Sequence, residues 1–191
     1  MPKARAAFDT LPPESDITRC RCSHSTWASD GTAAVSVGSS AGVQLRRDRL
    51  EPVGLYLTTN GRRRSTTRED KVGQGMIGVF GQSEVEWTRW LRTTVGLRAD
   101  RYQFSVTSNT AANSGDGSGA IVSPKFGAVF GPWSGTEFYA NAGTGFHSND
   151  ARGAVITVDP ATGEPADRVI PLVRAKGAEF GVRTVAGRRR R

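Results

Sequence analysis

Long runs of alternating apolar and polar residues constrain the fold of this chain more than any other feature of its sequence. Residues 73–88 read GQGMIGVFGQSEVEWT, with side chains such as Val79 on one face of an extended strand and side chains such as Glu84 on the other. Residues 91–106 continue the same period of two. Because successive side chains of a strand point to opposite faces, this period predicts β-strands with one apolar face.

Turns of two very different lengths separate the alternating runs. Further strand candidates lie at 53–59, 120–131, 136–146 and 174–185. The short turns are RW (89–90) and PWSG (132–135), and the polar stretches that predict long loops are 61–71, 107–119 and 147–173. Short turns at one end and long loops at the other are typical of a membrane β-barrel.

The length of these strands favours a transmembrane barrel over a soluble fold. Strands of soluble proteins usually span about 5–6 residues, whereas the runs here extend over roughly 12–16 residues, long enough to cross a bilayer at a tilt. Trp87, Trp90 and Trp133 fall beside the short turns, as an interfacial aromatic girdle would. The predicted fold class is therefore all-β, an antiparallel meander of long strands that forms a partial transmembrane β-barrel, open and incomplete. The alternative is a small soluble β-sandwich binding module, with these tryptophans in its core.

The net charge of +8 is not carried by the alternating part of the chain. Residues 73–187 hold ten basic and ten acidic side chains, residues 1–72 hold twelve and eight, and the last four residues are all arginine. Nucleic-acid-binding domains usually carry a basic stripe on the folded body. No nucleic-acid partner is therefore predicted, and a basic nucleic-acid-associated protein is the third and weakest interpretation. The run RRRS (62–65) is predicted in a solvated loop, with lipopolysaccharide phosphates as the alternative contact.

No residue is predicted to be catalytic or to bind a cofactor or a metal. Cys20 and Cys22 form a single C-x-C with His24 nearby, which leaves a zinc site short of a fourth ligand. GQGMIG (73–78) matches G-x-G-x-x-G, but a β-patterned run follows it where a dinucleotide fold needs a helix. His147, in the polar stretch GFHSNDARG, has no second histidine nearby and no nucleophile elbow. The chain is accordingly predicted not to be an enzyme.

Charged residues on the polar faces of the strands have two interpretations. Glu84, Glu86, Arg98 and Asp100 are residue types that perform acid–base chemistry. As neighbours on the polar faces of adjacent strands, they are more simply explained as a charge ladder that faces the lumen of a barrel.

Several motifs occur in the order found in one family of membrane barrels. They are GVFGQSEVEWTRWLRTTVGLRADRYQF (78–104), SPKFGAVFGPWSGTEFYANAGTGFHSNDARG (123–153) and RAKGAEFGVRT (174–184). Over about residues 43–186, the sequence resembles the barrel of TonB-dependent outer-membrane receptors of Gram-negative bacteria. The resemblance implies a segment of a barrel of about 22 strands with a plugged lumen, which imports a scarce ligand such as an iron-siderophore or cobalamin.

The resemblance also implies the location and the partners of the protein. It implies the cell outer membrane and, as partners, outer-membrane lipid, a TonB-type energy transducer and a siderophore-like ligand. No cofactor is implied. The chain is expected to be a fragment of such a receptor that is not transport-competent alone.

The pattern divides the chain into three parts. Residues 1–40 show no sustained period and are predicted to be an unpatterned or disordered N-terminal segment. Residues 41–186 are the predicted partial barrel, and 187–191 a basic tail. No apolar signal-peptide core is visible near the N-terminus.

Overall fold

Most of the described part of the chain forms long β-strands. The computed structural model describes residues 5–10, 14–27 and 35–185, with side chains for 35–185. The strands in this part are β1 (Arg5–Thr10), β2 (Glu14–Trp27), β3 (Ser36–Thr59), β4 (Arg62–Thr88), β5 (Leu91–Ser108), β6 (Gly115–Trp133), β7 (Thr136–Ser148) and β8 (Leu172–Thr184). A single 3-10 turn (Ala111–Asn113) and the short helix α1 (Ala151–Val155) are the other elements of the described residues.

The strands form one antiparallel sheet whose order follows the chain. From β3 to β8, each strand pairs with the next one in sequence, while β1 and β2 pair with two successive parts of the free edge of β3. Within the described residues, β8 has no further neighbour and the sheet does not close on itself. The predicted fold class, an open antiparallel meander of long strands, is confirmed.

The turns sort to the two ends of the sheet, as the sequence predicts. Residues 89–90 and 134–135 form tight turns at one end, which we call the short-turn end. At the opposite end, the loop end, residues 109–114 join β5 to β6 and residues 149–171 join β7 to β8. The long loops are therefore shorter than predicted, because the strands continue into their polar flanks.

The third connection at the loop end corrects a sequence-based prediction. Residues 61–71 are predicted as a loop, but β4 already begins at Arg62, and Asn60 and Gly61 alone make the turn. Both have positive φ, 52° and 74°, the conformation that a two-residue hairpin turn requires and that Asn-Gly adopts readily. Residues 62–69 pair with β3 alone, so the hairpin projects past the end of β5.

Side chains of the projecting hairpin explain why its polar residues are ordered. The guanidinium of Arg63 lies 3.2 Å from the centre of the Tyr56 ring, and the Tyr56 hydroxyl donates to Glu69 Oε2 at 2.9 Å. The ring of Tyr56 also lies across Gly54, where a β-carbon would meet it at 2.1 Å. The run RRRS is thus part of a strand and not of a solvated loop.

The N-terminal region also differs from the prediction. Residues 1–40 are predicted to be unpatterned or disordered, yet 5–10 and 14–27 are strands and β3 begins at Ser36. Their register with β3 runs from Arg5–Thr58 to Trp27–Val37, with one shift after Cys22. Pairing with an existing strand edge supplies backbone hydrogen bonds that no local period reveals. The predicted basic tail, 187–191, lies outside the described residues.

One face of the sheet, which we call the outward face, is apolar and exposed along the middle of β3 to β8. Its large apolar side chains have exposed fractions between 37% and 73%. They are Val43, Leu45, Ile77, Val79, Val95, Leu97, Val122, Phe126, Phe138, Phe180 and Val182. The register aligns these side chains in rows, for example Val43 with Val79 and Val95 with Phe126. A contiguous apolar surface of this extent is characteristic of a lipid-facing or partner-facing sheet.

The tryptophans lie where the barrel interpretation requires them. Trp87, Trp90 and Trp133 surround the short turns and are each about half exposed, at 48%, 47% and 50%. Trp87 also donates from Nε1 to Thr93 Oγ1 at 2.8 Å. They are therefore not core residues, and their position fits an aromatic girdle at a membrane interface. No helix in the described part of the chain is long and apolar enough to cross a bilayer.

Candidate functional site

The opposite face of the sheet, the inward face, carries a network of polar side chains across β3, β4 and β5. Arg46 Nε donates to Asp48 Oδ1 at 3.1 Å, and Gln74 Nε2 donates to Asp48 Oδ2 at 2.9 Å. The hydroxyl of Tyr102 donates to Gln74 Oε1 at 2.7 Å. Asp48 is only 4% exposed, so these donors replace the water that its carboxylate gives up on folding.

A second cluster of the same face contains Arg98 and Asp100, two residues of the predicted charge ladder. The guanidinium of Arg98 holds both oxygens of Asp100, at 2.8 Å from Nε and 2.5 Å from a terminal nitrogen. Its other terminal nitrogen donates to Gln44 Oε1 at 3.2 Å. Gly78 leaves the room for this pair, since a β-carbon there would lie 2.3 Å from both side chains. Arg98 and Asp100 therefore form a structural ion pair, with a bidentate geometry.

The inward face stays charged toward the short-turn end. Glu137 accepts from Arg92 at 3.1 Å and from Arg183 Nε at 3.1 Å, which links β5, β7 and β8. Lys125 donates to Gln82 Oε1 at 2.5 Å. Glu84 and Glu86 lie on this face in β4, opposite Thr94 and Arg92 of β5. A wall with this many charges needs water or a polar filling beside it.

At the loop end, the inward face changes from polar to apolar and α1 packs on it. The buried cluster consists of Val72, Tyr102, Phe104, Val106, Ala151 and Val155. Phe104 lies across Gly117 of β6, where a β-carbon would approach the ring to 2.2 Å. The loop 149–171 therefore folds back over the inward side of the sheet. We call the loops 109–114 and 149–171, together with α1, the loop cover.

Asn113 joins the two loops of the loop cover. Its side-chain oxygen accepts from the backbone nitrogens of Thr157 and Val158 at 2.9 Å and 3.0 Å. Its Nδ2 donates to the carbonyl oxygen of Val158 at 2.8 Å. Asn113 is fully buried, so these three bonds both satisfy the amide and fix the loop 109–114 to the loop 149–171.

Asp150 begins α1 as its N-cap. The carboxylate accepts from the backbone nitrogen of Arg152 at 2.9 Å and from the guanidinium of the same residue, which satisfies a free amide of the first turn. Arg68 of β4 donates to the carbonyl oxygen of Arg152 at 3.5 Å and pairs with Asp70 at 2.5 Å. The cap, the helix and the base of the projecting hairpin thus form one connected unit.

The capped helix predicts an acid sensitivity of the loop cover. Burial alone would raise the pKa of Asp150, but hydrogen bonds and charge from Arg152, together with the charge of Arg68, hold it below the ordinary value of 3.8. A lowered folded-state pKa stabilises α1 above 3.8, and this contribution is lost as the pH falls through the folded value. Amides of α1 should therefore lose protection below pH 3.8.

Hydrogen exchange, corrected for the intrinsic rates, measures this loss across 149–158 in the chain refolded in detergent. In Asp150→Asn the protection of α1 should no longer change in this pH range, because the titrating carboxylate is gone. Asp167→Asn is the matched control in the same loop, and an equal loss of the pH dependence there would contradict the role of Asp150.

The residues of the polar stretch GFHSNDARG therefore make structural contacts. His147 and Ser148 end β7 and pair through the backbone with Val173 and Leu172. Asn149 Nδ2 donates to the carbonyl oxygen of Ile170 at 2.8 Å. Within the described part of the chain, no three His, Cys, Asp or Glu residues lie close enough together to hold a metal ion. The side chains of Cys20, Cys22 and His24 lie outside the described residues, and GQGMIG lies inside β4. The prediction of no catalytic, cofactor-binding or metal-binding residue stays a prediction.

The residues that build the loop cover are not predicted from the sequence. Asn113 and Asp70 are buried and Asp150 is exposed, and all three are polar residues in stretches of loop-like composition. The one signal available was Asp150 directly before a short apolar run, which is the pattern of a helix N-cap.

The fold and its two contrasting faces define a class of protein. An antiparallel meander of long strands, with an apolar outward face, a charged inward face and tryptophans at the short turns, is the wall of a transmembrane β-barrel. A family model described as TonB dependent receptor-like, beta-barrel, matches residues 8–188. The chain therefore belongs to the family of TonB-dependent receptor-like β-barrels. No curated protein matches the chain in a sequence comparison.

The extent of the match bears on the predicted parts of the chain. It begins at residue 8, well before residue 43, where the resemblance is expected to start, and so includes β2 and the second half of β1. The members of this family are outer-membrane transporters and not enzymes. The division of the chain at residues 40 and 186 stays a prediction.

Proposed function

We propose that this chain is part of the wall of an outer-membrane receptor that binds a scarce ligand, such as an iron-siderophore or cobalamin, and imports it. A TonB-type transducer of a Gram-negative cell would supply the energy. The observation that carries the proposal is the contrast between the two faces. The middle of the outward face is apolar where the inward face holds Arg98, Asp100, Arg92 and Glu137.

This contrast has a direct physical meaning in a membrane. Charged side chains are costly against lipid, so the inward face must border a polar lumen. The apolar outward side chains lower the free energy when lipid surrounds them. A soluble β-sandwich would need a second sheet across the outward face, yet the strands of 35–185 all belong to one sheet.

The loop cover supplies the surface that we assign to the ligand. Its side chains and the projecting hairpin lie at the loop end, which is the extracellular end in barrels of this type. Below it, Arg98 is held by Asp100 within β5, while Arg92 reaches Glu137 and Lys125 reaches Gln82 across one intervening strand. They keep their geometry without a ligand, as a preformed lumen wall requires.

We assign no catalysis and no cofactor to this chain, because Arg98 is paired with Asp100 and Arg92 with Glu137. Import would require a closed barrel. The open sheet leaves backbone groups unpaired at its two edges, which lipid cannot satisfy. We therefore propose that the chain is not transport-competent alone.

Labelling from the two sides of the membrane tests this placement. The chain is exported in a Gram-negative host with an added secretory leader, with Cys20 and Cys22 replaced by serine. Thr162→Cys, in the loop 149–171, should react with a membrane-impermeant maleimide in intact cells. Ser134→Cys, in a short turn, should react only after permeabilisation. Labelling of Ser134→Cys alone in intact cells, or recovery of both variants in the soluble fraction, would contradict the proposal.

A further inference from the structure

The strands β6 and β7 pair over only part of their length, which leaves a seam between them at the loop end. Their register ends at the pair Lys125–Gly143. Beyond this pair, and within the described residues, 115–124 pair with β5 alone and 144–148 pair with β8 alone. We call these two facing stretches the β6–β7 seam.

Pro124 explains why the pairing stops at this point. In an antiparallel sheet, the N–H and C=O of each residue point to one neighbouring strand and those of the next residue to the other. The Gly131 nitrogen of β6 donates to the carbonyl oxygen of Trp90, just before β5, so odd residues of β6 point to β5 and Pro124 points to β7. Proline has no N–H to donate, and the next residue of β6 that points to β7 is Val122.

Arg174 of β8 takes the place of the missing strand partner. One terminal nitrogen of its guanidinium donates to the carbonyl oxygen of Val122 at 2.6 Å and to Thr144 Oγ1 at 3.2 Å. The side chain thus bridges the seam on the outward face, where Val122 is 46% exposed. Lipid cannot hydrogen-bond to a free carbonyl group, so Arg174 stabilises the open arrangement.

On the inward side, the start of β8 lies against β6 and keeps the seam open. Leu172 packs on the buried cluster of the loop cover, and a β-carbon at Gly119 of β6 would lie 3.1 Å from it. A β-carbon at Gly143, where the strands are still paired, would lie 3.3 Å from Lys125. A β-carbon at Gly145 would have no atom within 4 Å, so the strands have separated at this residue.

The two stretches of the seam are nevertheless matched for pairing. Continuing the register beyond its last pair would place Ser123 opposite Gly145 on the inward face, and Val122 opposite Phe146 on the outward face. The second pair would bring two apolar side chains together, which stabilises a sheet. The hydroxyl of Ser123 is buried without a hydrogen-bond partner among the described residues. Hydrogen bonding at the seam is therefore incomplete in the open arrangement.

We propose that the β6–β7 seam is a two-state device, which Arg174 and the loop cover hold open and which closes by backbone pairing when they are released. Closure forms the backbone hydrogen bonds of a Val122–Phe146 pair and frees Arg174. In a continued ladder, Leu172 would share the outward face with Ser148, its partner in β7, and would have to leave the inward side of β6. The loop cover therefore cannot keep its position while the seam is closed. The device couples the loops to strand pairing in the barrel wall, a role beyond ligand import.

Disulfide formation across the seam tests the proposal. The full chain is refolded in detergent with Cys20 and Cys22 replaced by serine, and oxidised glutathione is added as the oxidant. The seam pair is Ser123→Cys with Gly145→Cys. In a closed ladder the Cα atoms of this pair would lie about 4.5 Å apart, within the range of a disulfide.

A second cysteine pair on the same strands gives the rate for a ladder that is already closed. The reference pair is Gly127→Cys with Asn141→Cys, which lie opposite each other in the register. In the parent chain, the seam pair should oxidise at least about tenfold more slowly than the reference pair, as expected when the closed state is populated to about 10% or less.

Releasing either holder should speed the oxidation of the seam pair. Arg174→Met removes the donor to Val122, and Asn113→Ala removes the hydrogen bonds that join the loops of the loop cover. Each should raise the rate about fivefold or more, the scale of one lost hydrogen bond. Lys176→Met removes the same charge two residues further along the same face of β8, and should change the rate by less than about twofold.

The reference pair also shows that each variant is folded, because its oxidation stays fast only while β6 and β7 are paired. A seam pair that oxidises as fast as the reference pair in the parent chain would overturn the proposal. So would an unchanged rate in both Arg174→Met and Asn113→Ala, or an equal acceleration by Lys176→Met. The test uses neither a transported ligand nor a membrane, so its result is independent of the proposed import function.

Discussion

Replacing Val95 by arginine should destabilise the sheet in lipid vesicles by about 2–4 kcal/mol, the range for a cation near the midplane of a membrane barrel. Val95 is 57% exposed on the outward face and lies at the centre of the apolar stretch of β5. Its cross-strand partners are Ser83 and Phe126, which offer no counter-charge. Guanidinium unfolding of the refolded chain, followed by tryptophan fluorescence, measures the difference.

Two controls separate a membrane effect from a general effect of arginine. Thr94→Arg lies on the adjacent inward-facing position, opposite Glu84, and should change stability by less than about 1 kcal/mol because an ion pair forms across the strands. Gln103→Arg lies on the outward face of the same strand but toward the loop end, where the cost falls to about 0–1 kcal/mol. If Gln103→Arg costs as much as Val95→Arg, the outward face does not follow the depth profile of a bilayer.

The outward face can be predicted from the sequence because alternate side chains of each strand contact lipid, which produces a period of two. Most outward-facing residues in the middle of β4, β5 and β6 are apolar, and the tight turns at 89–90 and 134–135 bring that period back in register. Trp87 and Trp133 mark the interface for the same reason. Where one side of the sheet contacts hydrocarbon, the local sequence pattern therefore predicts both which residues form strands and on which face each side chain lies.

The projecting hairpin was missed because that constraint ends where the strand leaves the membrane. Residues 62–69 continue β4 with RRRSTTRE, which has water-compatible side chains on both faces and no alternation. The signal that was present is Asn60-Gly61, a common two-residue hairpin turn. A loop over residues 61–71 would not need the hairpin-turn dipeptide Asn60-Gly61 at its start.

The strands β1 and β2 and the loop cover were missed for a different reason, namely that tertiary contacts create them. Pairing with the edge of β3 makes strands of segments without a period. The helix α1 has five residues, too few for a helical period to appear, and depends on Asp150 and on packing against Tyr102 and Phe104. The hydrogen bonds by which Asn113 joins two loops can be recognised only when both loops are folded.

Removing the buried carboxylate of Asp70 should lower the free energy of unfolding by as much as Val95→Arg does, or by more. Asp70 is 1% exposed and its Oδ2 lies 2.5 Å from Arg68 Nε, while its Oδ1 has no hydrogen-bond partner among the described residues. Asp70→Ala leaves the guanidinium of Arg68, itself 13% exposed, without its counter-charge. Breaking one partner of such a pair typically costs about 3–5 kcal/mol. Guanidinium unfolding in detergent measures this loss.

Replacing both partners distinguishes the cost of a stranded charge from a need for the pair itself. Arg68→Met with Asp70→Leu fills the site, next to Val53 and Val72, with apolar side chains and should recover most of the stability of the parent chain. Glu51→Ala, which breaks an ion pair with Lys71 whose side chains are 47% and 65% exposed, should change stability by at most about 1 kcal/mol. A double variant as unstable as Asp70→Ala would show that the geometry of the pair holds the hairpin on α1. Full recovery of the parent stability would show that apolar packing is sufficient to hold the base of the loop cover. The ion pair would then serve to fix the position of the hairpin on α1.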